Sequence, residues 1–196
     1  MWKSKLIEFA NKFDHPAWGK SHFKRIYELS KKLASLQGVD YDDDSLLAAA
    51  YLHDIGAFEP YSKKGEDHSS IAVKESEEIL LSIDFPREKI PLVKDIIKGH
   101  MFYSKPSEYI ESKIFHDADT LDFLGIIGIT RLLATVGKED WTADLNSAVK
   151  LIQKFYNDLP PKLVTTEAKK ICEKRQSEME YFLENLSQQT NNFTQL

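Results

Sequence analysis

Six side chains able to ligate a metal stand in five short stretches. They are His22 in Ser21-His22-Phe23, His53 and Asp54 in Tyr51-Leu52-His53-Asp54-Ile55-Gly56, His68 in Asp67-His68-Ser69, His100 in Lys98-Gly99-His100, and Asp119 in Asp117-Ala118-Asp119-Thr120. Imidazole and carboxylate together suit Mn, Fe, Co, Ni or Zn. Taken singly, each residue has an ordinary reading. His22 reads as a surface residue, His53 as a satisfied histidine, Asp54 as a helix-end carboxylate, and His68 as an exposed helix-start residue. His100 reads as part of a C-terminal cap and Asp119 as an N-cap. The pair His53-Asp54 carries the most weight, because it closes the apolar run Leu46-Leu47-Ala48-Ala49-Ala50-Tyr51-Leu52. Burying two such polar groups is costly without a partner, and a shared metal is one partner that would serve both.

The elements that must position these residues read as helices. Trp2, Leu6, Phe9 and Phe13 fall on one side of a short amphipathic helix over residues 2–13. A second is expected from a Ser21 cap to about Leu36, with Gly38 as its stop. Asp42-Asp43-Asp44-Ser45 is an acidic lead-in that favours the start of the central helix. Further helices are expected from Asp67 or Ser69 to Ile83, Arg87 to Gly99, Glu108 to His116, Leu121 to Val136, Ala143 to Tyr156 and Thr165 to Leu186. Gly125 and Gly128 point to close approach of another helix. No period-two pattern, repeat or linker is evident. The expected fold class is all-α, a single-domain helical bundle over residues 1–186, with a polar tail at 187–196 that frays. The metal-ligating residues fall at helix ends, and the ends of packed helices can converge on one cavity.

Composition narrows the function classes. The chain has 196 residues, 42% hydrophobic and 29% charged, which fits a globular fold with a core. No apolar run approaches the ~20 residues of a membrane span, and the first residues lack the pattern of a signal peptide, so a cytoplasmic location is expected. The single cysteine, Cys172, excludes an internal disulfide and a thiolate zinc cage. A net charge of −5 argues against binding extended nucleic acid, while leaving room for a local basic pocket.

The order His, His-Asp, Asp resembles the HD-domain superfamily of metal-dependent phosphohydrolases. The stretch from His15 to Ile26, Ala50-Tyr51-Leu52-His53-Asp54-Ile55-Gly56, and Asp117 through Arg131 are similar to the motifs of a small bacterial subgroup. The similarity continues through Lys162-Leu163, Thr165 to Ala168, Arg175 and Phe182-Leu183, and so covers roughly residues 12–186. The resemblance implies a divalent metal, Mn first and Co, Ni, Mg, Zn or Fe as alternatives, held by His22, His53, Asp54 and Asp119. It implies Asp54 and His100 as catalytic residues, with His100 either facing the substrate or joining His68 at a second metal. In that second case Asp54 would bridge.

The implied substrate is a small phosphorylated metabolite, with nucleotides the first class, losing either phosphate or pyrophosphate. Arg25, three residues after His22 on the same helical face, is the first candidate for phosphate binding. Lys63, Lys64, Lys105, Arg131, Lys162 and Arg175 are further candidates, although Arg131 could instead brace Asp122. Glu59 could orient a water, and Asp122 could hold a ligand in place. Phe58, Tyr61, Phe102 or Tyr103 could stack a base, and Trp141 with Phe155-Tyr156 could cover a core or a subunit face. Two alternatives belong to other classes: a di-iron oxygenase, which needs both His68 and His100 as ligands, and a non-catalytic nucleotide-binding module.

Overall fold

The computed structural model describes residues 1–196 and contains nine α-helices, four short 3-10 turns and no strand. The chain divides into two units, Met1–Asp119 and Thr120–Leu196. The first holds α1 (Trp2–Ala10), α2 (Lys20–Gln37), α3 (Asp43–Leu52), α4 (His68–Ser82), α5 (Ile90–Gly99) and most of α6 (Ile110–Asp122). Its centre is α3, where every residue from Ser45 to Leu52 is buried. Small side chains at Ala48, Ala49 and Ala50 let α2 and α5 pack against it, as close packing of an interior requires.

The N-terminal end of α3 is tied down on several sides. Asp42 caps it by accepting from the Ser45 N–H at 2.7 Å, and the Asp42 N–H donates to Glu111 of α6 at 2.7 Å. Lys89 reaches Asp42 at 2.8 Å and Asp44 at 2.9 Å. With that end fixed, the C-terminal end has a defined position, and there the chain places His53 and Asp54.

Several boundaries differ from the sequence expectation for steric reasons. Helix α1 stops at Ala10, and Phe13 turns away to join Phe58 at a centroid distance of 5.2 Å. The cap of α2 is Gly19 rather than Ser21. A Cβ at Gly19 would lie 2.4 Å from the His15 nitrogen, so only glycine fits the turn. Gly38 ends α2 in the left-handed region at φ 64°, as expected.

The second unit holds α7 (Gly125–Leu133), α8 (Leu145–Asp158) and α9 (Thr166–Gln189), with α7 packed against both α8 and α9. The expected break near Asp117 does not occur. Helix α6 continues to Asp122, and the break falls at Phe123-Leu124. Asp117, Asp119 and Asp122 are buried, so Asp119, which reads as a cap, is a buried polar residue inside one continuous helix. Gly125, at φ 71°, lies under α9, where a Cβ would meet Glu178 at 2.6 Å. At Gly128 a Cβ would instead lie 2.1 Å from the Phe123 carbonyl oxygen, in the turn just before the helix. Helix α9 continues past Leu186 to Gln189, and a turn with Asn191 to Phe193 at positive φ follows.

Candidate metal centre

The ends of five elements in the first unit bring the six candidate ligands together. His22 lies in the first turn of α2, His53 is the C-cap of α3, and Asp54 follows it at the turn into the 3-10 segment Ile55–Ala57. His68 opens α4, His100 is the C-cap of α5, and Asp119 lies in the last turn of α6. Asp119 is therefore a helix-interior residue and not the N-cap that its local sequence suggests.

The donor atoms are close and mutually facing. The Nε2 atoms of His22 and His53 are 3.1 Å apart, and His22 Nε2 is 3.2 Å from Asp119 Oδ1. Asp54 Oδ2 lies 3.5 Å from His22 Nε2 and 3.3 Å from His53 Nε2. Its other oxygen, Oδ1, lies 3.3 Å from His68 Nε2 and 3.6 Å from His100 Nε2. The two carboxylate oxygens thus face two different pairs of imidazoles. Ligands bonded at about 2.0–2.2 Å to one ion are separated by about 3–3.5 Å, which is the spacing seen here.

The ring nitrogens point the right way for a cation. His53 Nδ1 is 3.0 Å from the Ala50 carbonyl, and His100 Nδ1 is 2.6 Å from the Ile97 carbonyl. A carbonyl oxygen can only accept, so each Nδ1 carries the proton. In the neutral rings Nε2 then presents a lone pair to the cluster. His100 Nε2 is buried with no hydrogen-bond partner, an arrangement that is costly unless an electrophile is to be bound. The donor set fits a divalent metal, and the ligand atoms of His22, His53 and Asp119, like those of His53, Asp54 and His100, all lie within 4.8 Å of one another.

Charge is balanced within the cluster. Burial raises the Asp54 carboxyl, but His53, His100 and His68 outweigh it and hold its pKa well below the ordinary value. The same opposition, with His22 as the main partner, lowers Asp119. Burial opposes the charged form of His53, yet the neighbouring Asp54 carries its pKa above the ordinary imidazole value. His68 is likewise raised, burial being overcome by Asp54.

His68 does not behave as the exposed helix-start residue its local sequence suggests. Its side chain is 27% exposed and directed at Asp54. Two neighbours hold it there. Gly56 lies under the His68 backbone, where a Cβ would be 2.1 Å from the His68 carbonyl oxygen. Asp67 caps α4 by accepting from the Ser70 N–H at 3.0 Å, and it also accepts from the Tyr103 hydroxyl at 2.7 Å. Tyr103 thus joins the loop after His100 to the start of α4. That link leaves no trace in the sequence. His116 was also unmarked there, yet its buried Nδ1 donates to the Gly99 carbonyl at 2.9 Å, next to His100.

The other candidates sort by their surroundings. Arg25 is half-buried on α2, in the same turn as His22. Phe58 and Tyr61 pack against Phe13 at 5.2 and 6.1 Å, in an aromatic group that roots the loop after Ala57. Phe102 packs edge-on to Tyr103 at 5.4 Å. Glu59 accepts from the Ser62 hydroxyl at 2.8 Å. Within the second unit Arg131 pairs with Asp122 at 2.9 Å, and Arg175 donates to the Leu121 carbonyl, so both are braces. Lys162 closes the 3-10 turn Pro160–Lys162. Phe155 is buried against Phe123 at 5.3 Å, whereas Trp141 is 46% exposed. No helix is long and apolar enough to cross a membrane.

Comparison with known proteins yields a family match and a set of similar folds. A family model described as HD domain matches residues 19–124. YpgQ of Bacillus subtilis, solved in complex with ADP, is similar at a TM-score of 0.71 and 21% identity, over 95% of this chain and 97% of that one. An HD-superfamily hydrolase from Bacillus thuringiensis is similar at 0.67 and 24% identity, over 96% of each chain. The Lin1889 protein of Listeria innocua is similar at 0.64 and 28% identity, over 95% and 96%. Among curated proteins, none matches the chain.

Proposed function

Since the chain belongs to the HD-domain family, we propose that it is a metal-dependent phosphohydrolase of small phosphorylated metabolites, nucleotides first among them. The observation that carries this reading is the division of labour at Asp54, whose Oδ2 faces His22 and His53 while Oδ1 faces His68 and His100. On this reading His22, His53, Asp54 and Asp119 would hold one divalent ion, and His68 and His100, with Asp54, could hold a second. A divalent ion bound there would polarise a phosphoryl oxygen and lower the pKa of a water, making hydrolysis feasible near neutral pH.

The protein's own groups do the rest. The buried carbonyls of Ala50 and Ile97 fix the tautomers of His53 and His100 and so fix which nitrogen faces the site. Complete burial of His100 suits a ligand better than a group that meets substrate. Arg25, in the same turn as His22, is the cation we assign to the phosphate. YpgQ, solved with ADP, supports a nucleotide as the ligand. We place the phosphohydrolase domain at residues 1–186, with 187–196 outside it, and Mn first among the metals.

The test is release of phosphate and pyrophosphate from nucleoside mono-, di- and triphosphates by metal-stripped protein. Mn, Co, Ni, Mg, Zn or Fe is added back, with Asp54→Ala alongside. Metal-dependent turnover lost in Asp54→Ala supports the reading and identifies the leaving group. Absence of turnover with every metal overturns it. The placement of His68 beside Asp54 favours one second reading, a di-iron oxygenase. Two irons with a mixed-valence signal would support that enzyme, whereas an active mononuclear Mn or Co site would exclude it.

A further inference from the structure

The six candidate ligands are not held equally firmly. His22, His53, Asp54, His100 and Asp119 are buried, whereas the His68 side chain is 27% exposed. His100, which shares Asp54 Oδ1 with it, is completely buried, and its Nδ1 is fixed on the Ile97 carbonyl at 2.6 Å. The two rings are 5.7 Å apart. His68 is the first residue of α4, where a helix frays most readily. Gly56 permits α4 to start this close to the cluster, but a glycine contact exerts no directed pull.

The pull comes from the neighbouring residue. The two oxygens of Asp67 do different work. Oδ1 serves the helix itself, accepting from the Ser70 N–H at 3.0 Å and from the Ser69 hydroxyl. Oδ2 accepts from the Tyr103 hydroxyl at 2.7 Å, across 36 residues of chain. Tyr103 stands on a firm base. In its loop the Ser104 N–H donates to the Met101 carbonyl at 2.7 Å, the Ser107 hydroxyl donates to Asp95 of α5, and the Ser107 N–H donates to Ser112 of α6 at 3.2 Å. The Tyr103 ring is 55% exposed, so it contributes little to a core. Its hydroxyl instead ties the residue before His68 to the loop that follows His100.

We propose that Tyr103 is a positioning residue: through Asp67 it holds His68 against Asp54 Oδ1, and so decides whether the centre takes one divalent ion or two. It touches no ion itself. Groups that orient a ligand from behind govern metal affinity nearly as strongly as the ligand does. The proposal rests on the metal-binding part of the phosphohydrolase reading, and not on the reaction.

The test counts ions. Mn is titrated into metal-stripped protein, with free Mn followed by electron paramagnetic resonance and bound Mn by elemental analysis. The unsubstituted protein should take up two ions per chain and His68→Ala one, which defines the loss. Tyr103→Phe keeps the ring and removes the hydroxyl. It should leave the tighter ion within about twofold and weaken the second by about 10–100-fold. Tyr27→Phe is the control for general loosening, since Tyr27 donates to Asp43 at 2.6 Å at the end of α3 remote from His53; it should change neither ion. A single ion in the unsubstituted protein, an unchanged second ion in Tyr103→Phe, or equal weakening in both tyrosine variants overturns the proposal. A second ion that depends on Tyr103, in a protein that turns over no phosphate compound, would sustain it and overturn the hydrolase. Turnover by a protein that binds one ion would do the reverse.

Discussion

At the scale of single residues, Asp54 is the side chain on which the centre depends. Each of its oxygens serves a different pair of rings, so Asp54→Ala should lower metal-dependent turnover by at least about a hundredfold and reduce bound metal, read by elemental analysis. The raised pKa values of His53 and His68 have a definite pH consequence. A group whose pKa is raised on folding contributes stability below its unfolded value, and that contribution disappears as pH rises through the folded value. The metal-free protein should therefore lose melting temperature as pH rises past the ordinary imidazole value of about 6.5. Metal needs the neutral rings, so the stabilisation from added metal should grow over the same interval. A melting series with and without Mn tests both halves, and a metal effect that shrinks with rising pH would contradict them. The lowered Asp54 and Asp119 act at the other extreme, since their contribution is lost only as pH falls below the usual carboxylate range.

At the scale of elements, legibility followed a simple physical line. Helix α3 was readable because an apolar run with an acidic lead-in has few other solutions, and the helix starts within that lead-in, with Asp42 as its cap. The extent of α6 was not readable. Asp119 resembles a helix cap in sequence, and only tertiary burial of Asp117, Asp119 and Asp122 shows them to be interior residues of a continuing helix. His68 was undervalued because its position depends on Gly56, twelve residues earlier, being small enough to lie against its backbone. Gly56→Ala should therefore push the start of α4 away, costing about 1–3 kcal/mol of stability and weakening metal binding at His68 more than at His22. Chemical denaturation with metal stoichiometry would show both effects. Asp67→Ala removes a helix cap and should cost about 1 kcal/mol, with a further loss from freeing Tyr103, which Tyr103→Phe would isolate.

For the whole molecule, all six candidate ligands belong to the unit Met1–Asp119, while the buried pair Arg131–Asp122 belongs to Thr120–Leu196. The two are energetically different kinds of support. Removing Arg131 leaves a buried carboxylate without its partner, so Arg131→Met should destabilise by about 3–5 kcal/mol whatever the metal content. Metal acts by mass action on the folded state alone, and an ion at a hundred times its dissociation constant adds about 2.7 kcal/mol. For a chain of this length that corresponds to a rise of roughly 5–10 °C, which differential scanning calorimetry after chelation would reveal. A melting temperature indifferent to chelator would show that the cluster holds no structural charge from a metal.

Asp119 is also the final residue of its unit. The ligands enter in the order His22, His53, Asp54, His68, His100 and Asp119, over almost a hundred residues of chain. During synthesis, five donors would be made before the sixth exists. A nascent chain arrested before α6 would hold an incomplete, positively biased set of imidazoles around one carboxylate, with tight capture of an ion deferred until the last turn of α6 has formed. The centre would then record completion of its unit, and a ribosome-stalled series released stepwise past residue 119 would show high-affinity metal uptake as a single late step.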